Sequence, residues 1–389
     1  MTMKFEDTRL AFKDKSDREL RRAYWLFRLV GSPFLVKVGA LKLRIALWMR
    51  LPVRWILKPT IFSHFCGGES IEECRETINR LGDSGIQTIL DYSAEGRETE
   101  AEFDRTASEV MKTIRMAVRE KHIPYAVFKP TGMARFGLLE KLQQGTPLSA
   151  AEQKELDNLH RRVDSICQLA EESGVPVMVD AEESWIQEAV DRLVEDLILK
   201  YNKHKPLIFN TLQMYRHDRL EYLGKFTDRA REQGVFAAFK LVRGAYMEKE
   251  RERAAEMGYP SPIYPDKQAT DNAFDEATRF CLERVDHLAV CVGTHNEHSC
   301  GQAAELMDSL GIPHGHKHVS FAQLLGMSDH ISYPLAALGF NVCKYVPYGP
   351  VRTVVPYLVR RAEENTSVAG QTSRELFLIR KETKRRRSG

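Results

Sequence analysis

The sequence predicts an α/β protein, a (β/α)8 barrel preceded by a helical N-terminal arm. Three observations carry this. Past Gly85, brief β-branched or apolar runs alternate with polar, helix-patterned stretches. Eight such runs occupy about 270 residues, the usual extent of a closed barrel. No Gly-rich turn follows the first run, Leu90-Asp91-Tyr92, and no Walker motif is present, which argues against a doubly wound nucleotide-binding sheet.

The runs lie at 88–92, 125–131, 175–182, 207–215, 235–245, 288–296, 318–325 and 341–348. Their continuous apolar character suits parallel strands buried on both faces. Between the second and third, Ser149 and Glu152 have the spacing of a capping box opening a helix, and Gly174-Val-Pro176 closes it. The expected division is a basic helical arm over 1–84, the catalytic barrel over 85–370, and a basic tail over 371–389, with Lys384–Arg387 read as a solvated end.

Bulk composition narrows the class. Apolar residues make up 43% and charged residues 29% of the 389, as in a soluble globular enzyme. A net charge of only +3 gives no reason to expect a nucleic-acid partner. Seven cysteines without a CxxC read as reduced thiols of a cytoplasmic protein. The polar N-terminal run shows no secretory signal. From Leu20 to Gly68 there are nine lysines and arginines, three tryptophans and no carboxylate. Two readings of the arm follow. It lies peripherally on an anionic membrane surface, at the inner face, or it packs on the barrel with its arginines reaching out to water.

Barrel chemistry sits at the C-terminal strand ends. Polar residues gather there: Asp91 and Glu95, Lys129 and Thr131, Asp180 with Glu182 and Glu183, Asn210 and Gln213, Lys240 to Tyr246, Thr294-His295-Asn296, Gln323 to Met327, and Tyr345. A helix-patterned segment follows, with Tyr357, Arg360, Arg361 and Glu364 on or near one face. Glu364 can tether either arginine, leaving forked donors to grip a carboxylate, and a tyrosine adds an apolar wall. Such a site suits a small ligand that is acidic at one end and apolar at the other. The alternating His314, His316 and His318 could bind zinc in a barrel hydrolase. They stand at the start of the seventh run, the wrong end of the barrel, and no metal site is assigned.

Taken together, Phe128-Lys129, Val179-Asp180-Ala181-Glu182-Glu183, Lys240-Leu-Val-Arg-Gly-Ala-Tyr246, Gly293-Thr-His-Asn296, Gln323-Leu-Leu-Gly-Met327 and Tyr357-Leu-Val-Arg-Arg-x-x-Glu-Asn365 resemble proline dehydrogenase. The motifs fall in chain order over about residues 85–370. The resemblance implies a distorted TIM-type barrel that binds FAD and oxidises L-proline to Δ1-pyrroline-5-carboxylate, the first step of proline catabolism. It implies hydride transfer to flavin N5 and electrons passed to a membrane quinone. It also implies that Arg360 and Arg361 bind the proline carboxylate, braced by Glu364, with Lys129 between carboxylate and flavin. Tyr345, Tyr357 and Leu324 would wall the ring, and Asp180 would shape the floor. Gln213, Lys240, Val242, Gly244, Ala245, Tyr246, Thr294 and His295 would hold FAD. Lys240 is often arginine in relatives, Arg243 replaces a lysine of some bacterial members, and Met247 replaces a tryptophan of some. Hydroxyproline is the alternative substrate. Relatives preferring it tend to carry a smaller residue at the Tyr345 position, which favours proline. The chain ends soon after the arginine helix, so a monofunctional enzyme is expected.

Overall fold

A computed structural model describes residues 5–388 apart from 50, 52, 94–96 and 368–370, and excludes the side chains of 33, 44, 47, 363–367, 371 and 372. Glu95 therefore lies outside the described residues, as does the side chain of Glu364.

All eight predicted runs are strands, and they close a parallel barrel in chain order. They are β1 (Ile86–Tyr92), β2 (Tyr125–Phe128), β3 (Val177–Val179), β4 (Ile208–Gln213), β5 (Ala237–Val242), β6 (Leu288–Gly293), β7 (Val319–Leu324) and β8 (Val342–Tyr348). The closure is the longest seam, from Ile86 opposite Val342 to Tyr92 opposite Tyr348. Several strands stop short of their apolar runs. Pro130 has no N–H to continue β2, so the chain turns at Pro130–Gly132. After β5, Gly244 takes φ +144°, which ends the extended course.

The arm contains α1 (Asp17–Val30) and α2 (Pro33–Trp48). A Ser16–Glu19 capping box starts α1. Its stripe of Leu20, Ala23, Phe27 and Val30 is buried. Within the barrel, α3 (Ala150–Ser173) carries the predicted Ser149–Glu152 box and ends at Gly174 in the left-handed conformation. Next come α4 (Asp329–Ala337), α5 (Val351–Ser367) and α6 (Gln371–Ser388).

The C-terminal segment corrects the expectation of a basic tail. Leu378 and Ile379 of α6 are buried in one cluster with the α1 stripe. Glu375 and Glu382 are buried as well, and Glu382 pairs with Arg385 and Arg386. The spacing 375, 378, 379, 382 is one helical face. Lys384, Arg385 and Arg387 are exposed, whereas Arg386 is half-buried and bonds Asp17 and the Phe12 and Lys15 carbonyls.

One face of α1 packs, and α2 lies against α5. Yet Trp48 is 84% exposed, Trp55 78% and Phe34 73%, with Leu41, Ile45 and Ile56 also exposed. Among the described residues no helix is long and apolar enough to cross a membrane.

Candidate active site

Strand alternation sends every second side chain into the barrel. The lower interior is filled by Ile89, Tyr125, Val127, Met178, Phe209 and Cys343. Above them, at the C-terminal rim, five charged or polar side chains from the ends of five strands meet. Lys129 Nζ lies 3.0 Å from Asp91 Oδ2 and 3.2 Å from Asp180 Oδ2. Lys240 pairs with Asp180 Oδ1 and donates to the Tyr345 hydroxyl at 2.6 Å. That hydroxyl donates to Asp180 at 3.1 Å. Burial alone would push the Asp180 carboxyl up. The charges of Lys240 and Lys129 outweigh it and hold the carboxyl below its ordinary value. The floor is thus an alternation of carboxylates and ammonium groups.

The apolar wall stands beside it. Leu324 and Tyr345 are register partners on β7 and β8. Leu324 packs against both the interior cluster containing Tyr345 and a second cluster containing Tyr357. Tyr357, Val354 and Leu358 seat α5 on Phe62, Phe65 and Met327. The guanidinium carbon of Arg361 lies 5.2 Å from the Tyr357 ring, in cation–π range. Arg361 is buried and Arg360 half-buried. The structure therefore brings together Lys129, Asp180, Leu324 and Tyr345 at the rim, with Tyr357 packed beside Leu324 and Arg361 over the Tyr357 ring; Arg360 is the preceding residue of the same helix.

The residues expected to hold a cofactor cluster at the ends of β4, β5 and β6. Gln213 is buried. It accepts from the Ala245 N–H at 2.9 Å and donates to the Glu182 carbonyl at 2.7 Å. It braces the loop after β5. Gly244 is required for a local reason, because a Cβ there would come within 2.5 Å of the Tyr215 ring. Val242 is half-buried, Ala245 exposed and Tyr246 half-buried. Lys240 points to Asp180 and Tyr345, so its place is the floor. Thr294 accepts from Arg243, which is also held by Asp271 and by Ser299 at 2.8 Å. His295 is pushed down to about 3 by burial, with the charges of Lys344 and Arg361 adding to the effect, so it is neutral at physiological pH. An exposed loop backbone, cations and a neutral imidazole fit a flavin with its anionic phosphates.

Some contributors were given no role from sequence. Asp91, named only as a polar strand end, carries the second carboxylate on Lys129. Ser328 lies 2.8 Å from His295 Nδ1, and Glu375 accepts from the Ser328 N–H at 2.6 Å. The three clustered histidines have local partners: His314 bonds Asp308 and the Leu338 carbonyl, His316 Nδ1 accepts from the His318 N–H, and the His318 ring bonds the Val285 carbonyl. Among the described residues no group of side chains could hold a metal ion.

The closed barrel with its rim of paired charges has the architecture of a (β/α)8 enzyme. Comparison with known proteins sharpens the class. Residues 74–374 match the family model described as proline dehydrogenase. The chain is 31% identical to proline dehydrogenase 1, mitochondrial, of Dictyostelium discoideum, over 98% of this chain and 74% of that one. It is 32% identical to hydroxyproline dehydrogenase of Xenopus laevis, over 96% of this chain and 88% of that one. A crystal structure of proline utilization A (PutA) from Bdellovibrio bacteriovorus superposes with a TM-score of 0.72 at 20% identity, covering 94% of this chain and 37% of that one. The chain belongs to the proline dehydrogenase family, and its members by those names are oxidoreductases acting on proline or its hydroxylated form.

Proposed function

We propose that the protein oxidises L-proline to Δ1-pyrroline-5-carboxylate with FAD as its cofactor and a membrane quinone as the final acceptor. The observation that carries the reading is Arg361 over the Tyr357 ring, on a helix whose Tyr357 packs in one cluster with Leu324, the register partner of Tyr345; Arg360 is the neighbouring residue of that helix. Paired guanidinium groups suit a carboxylate, and the wall suits a saturated five-membered ring. A bound flavin would supply the hydride acceptor. The chain supplies orientation and electrostatics. The arginines anchor one end of proline. The wall fixes the ring face. Lys129, held between Asp91 and Asp180, keeps a positive charge beside the reacting centre. Gln213 stiffens the loop after β5 for the cofactor.

Proline rather than hydroxyproline is favoured by Tyr345. Its hydroxyl is held by Lys240 and Asp180, so the ring has no freedom to swing aside for an extra hydroxyl. The quinone and the membrane are supported by the arm. Its exposed tryptophans and basic residues suit an anionic bilayer surface, and α2 lies against the arginine helix α5. Steady-state assay of the purified protein with a soluble redox dye tests the reaction. Dye reduction should require L-proline, with the cyclic imine trapped as product. Dye reduction supported equally by unrelated amino acids would contradict it.

A further inference from the structure

A chain of hydrogen bonds leaves the rim at the half-buried His295 and ends on α6. The Leu324 N–H is directed at His295 Nε2, 3.4 Å away. His295 Nδ1 lies 2.8 Å from Ser328 Oγ. A ring nitrogen that accepts from an amide carries no proton, so in the neutral imidazole Nδ1 bears the proton and donates to Ser328.

Ser328 is itself held in an unusual state. Its φ is +53°, and it is the sole non-glycine with positive φ among the described residues. Such a conformation persists where surrounding contacts impose it, and it concentrates at functional sites. Here the contacts are identifiable. The Ser328 N–H donates to Glu375 Oε1 at 2.6 Å. The Ser328 carbonyl accepts from the Ile331 and Ser332 amides at 3.0 and 3.1 Å. A parallel route runs from Ser332 Oγ to Gln323 Oε1 at 2.8 Å, and from Gln323 Nε2 to the Thr294 carbonyl at 3.1 Å. Glu375 is buried, and its nearest described basic partner, His330, stands 3.8 Å away. A buried carboxylate so weakly paired is costly unless its hydrogen bonds serve a purpose.

We propose that Glu375 is a positioning residue for His295. Its carboxylate fixes Ser328 in the left-handed conformation that aims the hydroxyl at Nδ1, which sets the tautomer and leaves Nε2 as the acceptor that faces the Leu324 N–H at the rim. The consequence for flavin rests on the proposed function, whereas the tautomer does not. The bland alternative is that Glu375 merely anchors α6.

The test uses the full chain with labelled imidazole nitrogens. The 15N signals of His295, assigned by their loss in His295→Asn, report the tautomer in the protein stripped of cofactor. FAD affinity is measured by flavin fluorescence. Outer partners that orient a binding histidine are worth about 10–100-fold in affinity at metal sites, and about tenfold is the scale expected here. Glu375→Leu should move the His295 signals away from the Nδ1–H pattern and weaken FAD about tenfold. Glu375→Gln retains an acceptor for the Ser328 amide and should resemble wild type in both. Leu378→Ala loosens the same helix and should lower Tm while leaving both readouts in place. Ser328→Ala, which leaves α6 untouched, should reproduce the Glu375→Leu pattern even if that variant folds poorly. The proposal is overturned if Glu375→Leu or Ser328→Ala behaves as Leu378→Ala does, changing Tm alone. A wild type that binds no FAD would sink the proposed function, yet the nitrogen signals would still decide the role of Glu375.

Discussion

The Tyr345 hydroxyl donates to Asp180 at 3.1 Å across the barrel mouth, and Lys240 donates to the same oxygen at 2.6 Å. A side chain held from both sides acts as a rigid wall. Tyr345→Ser removes the ring and should open space for a hydroxylated substrate. The ratio of kcat/KM for hydroxyproline over proline should rise about tenfold, the scale of a lost apolar contact. An unchanged ratio would show that Tyr345 does not face the substrate ring.

Arg361 is the buried member of the arginine pair. Arg361→Met keeps the packing stem and deletes the charge. Truncating one partner of a buried, hydrogen-bonded charge pair costs roughly 2–5 kcal/mol, so kcat/KM for proline should fall about 30-fold or more. FAD content should stay near wild type. A normal KM in flavin-replete enzyme would remove the arginine from the carboxylate site.

Glu182 offers a pH test. Burial pushes its carboxyl up to about 7 from 4.5, although it accepts from the Thr131 N–H at 2.7 Å and the Thr131 hydroxyl at 2.6 Å. Between those values the folded chain binds more protons than the unfolded chain. Stability from this group is therefore complete below about pH 4.5 and falls as pH rises toward 7. Glu182→Gln cannot ionise. Its stability relative to wild type should improve between pH 5 and pH 8, by on the order of 3 kcal/mol. A pH-independent difference in denaturant titrations would contradict the shift.

The outer face of the arm predicts lipid binding. Replacing exposed Trp48 and Trp55 together with serine should weaken co-sedimentation with anionic vesicles, and salt should weaken it further. Proline oxidation with a soluble dye should be unaffected. Equal vesicle binding by wild type and variant would restrict the arm to a packing role.

Much of this was legible in the sequence because period and position carry it. Eight continuous apolar runs announced eight parallel strands, and polar residues at their ends announced the rim. What pattern could not supply was pairing. The resemblance gave Lys240 to the cofactor, whereas its side chain lies on Asp180 and Tyr345. Gly244 reads as a place for close ligand approach, whereas the Tyr215 ring fills the space a Cβ would need. The C-terminal segment misled by composition, since its basic residues outnumber the short stripe that docks it. The φ of Ser328 leaves no trace in a sequence, because serine is not the residue that conformation favours.

The central claim is that proline reduces a flavin held by this barrel, and the most direct measurement is the visible spectrum of the purified holoenzyme under anaerobic addition of L-proline. Flavin absorbance near 450 nm, a general property of the oxidised cofactor, should be lost with proline in wild type. Arg361→Met should need far more proline for the same loss. A protein without flavin absorbance, or one whose flavin stays oxidised at saturating proline, would contradict the account.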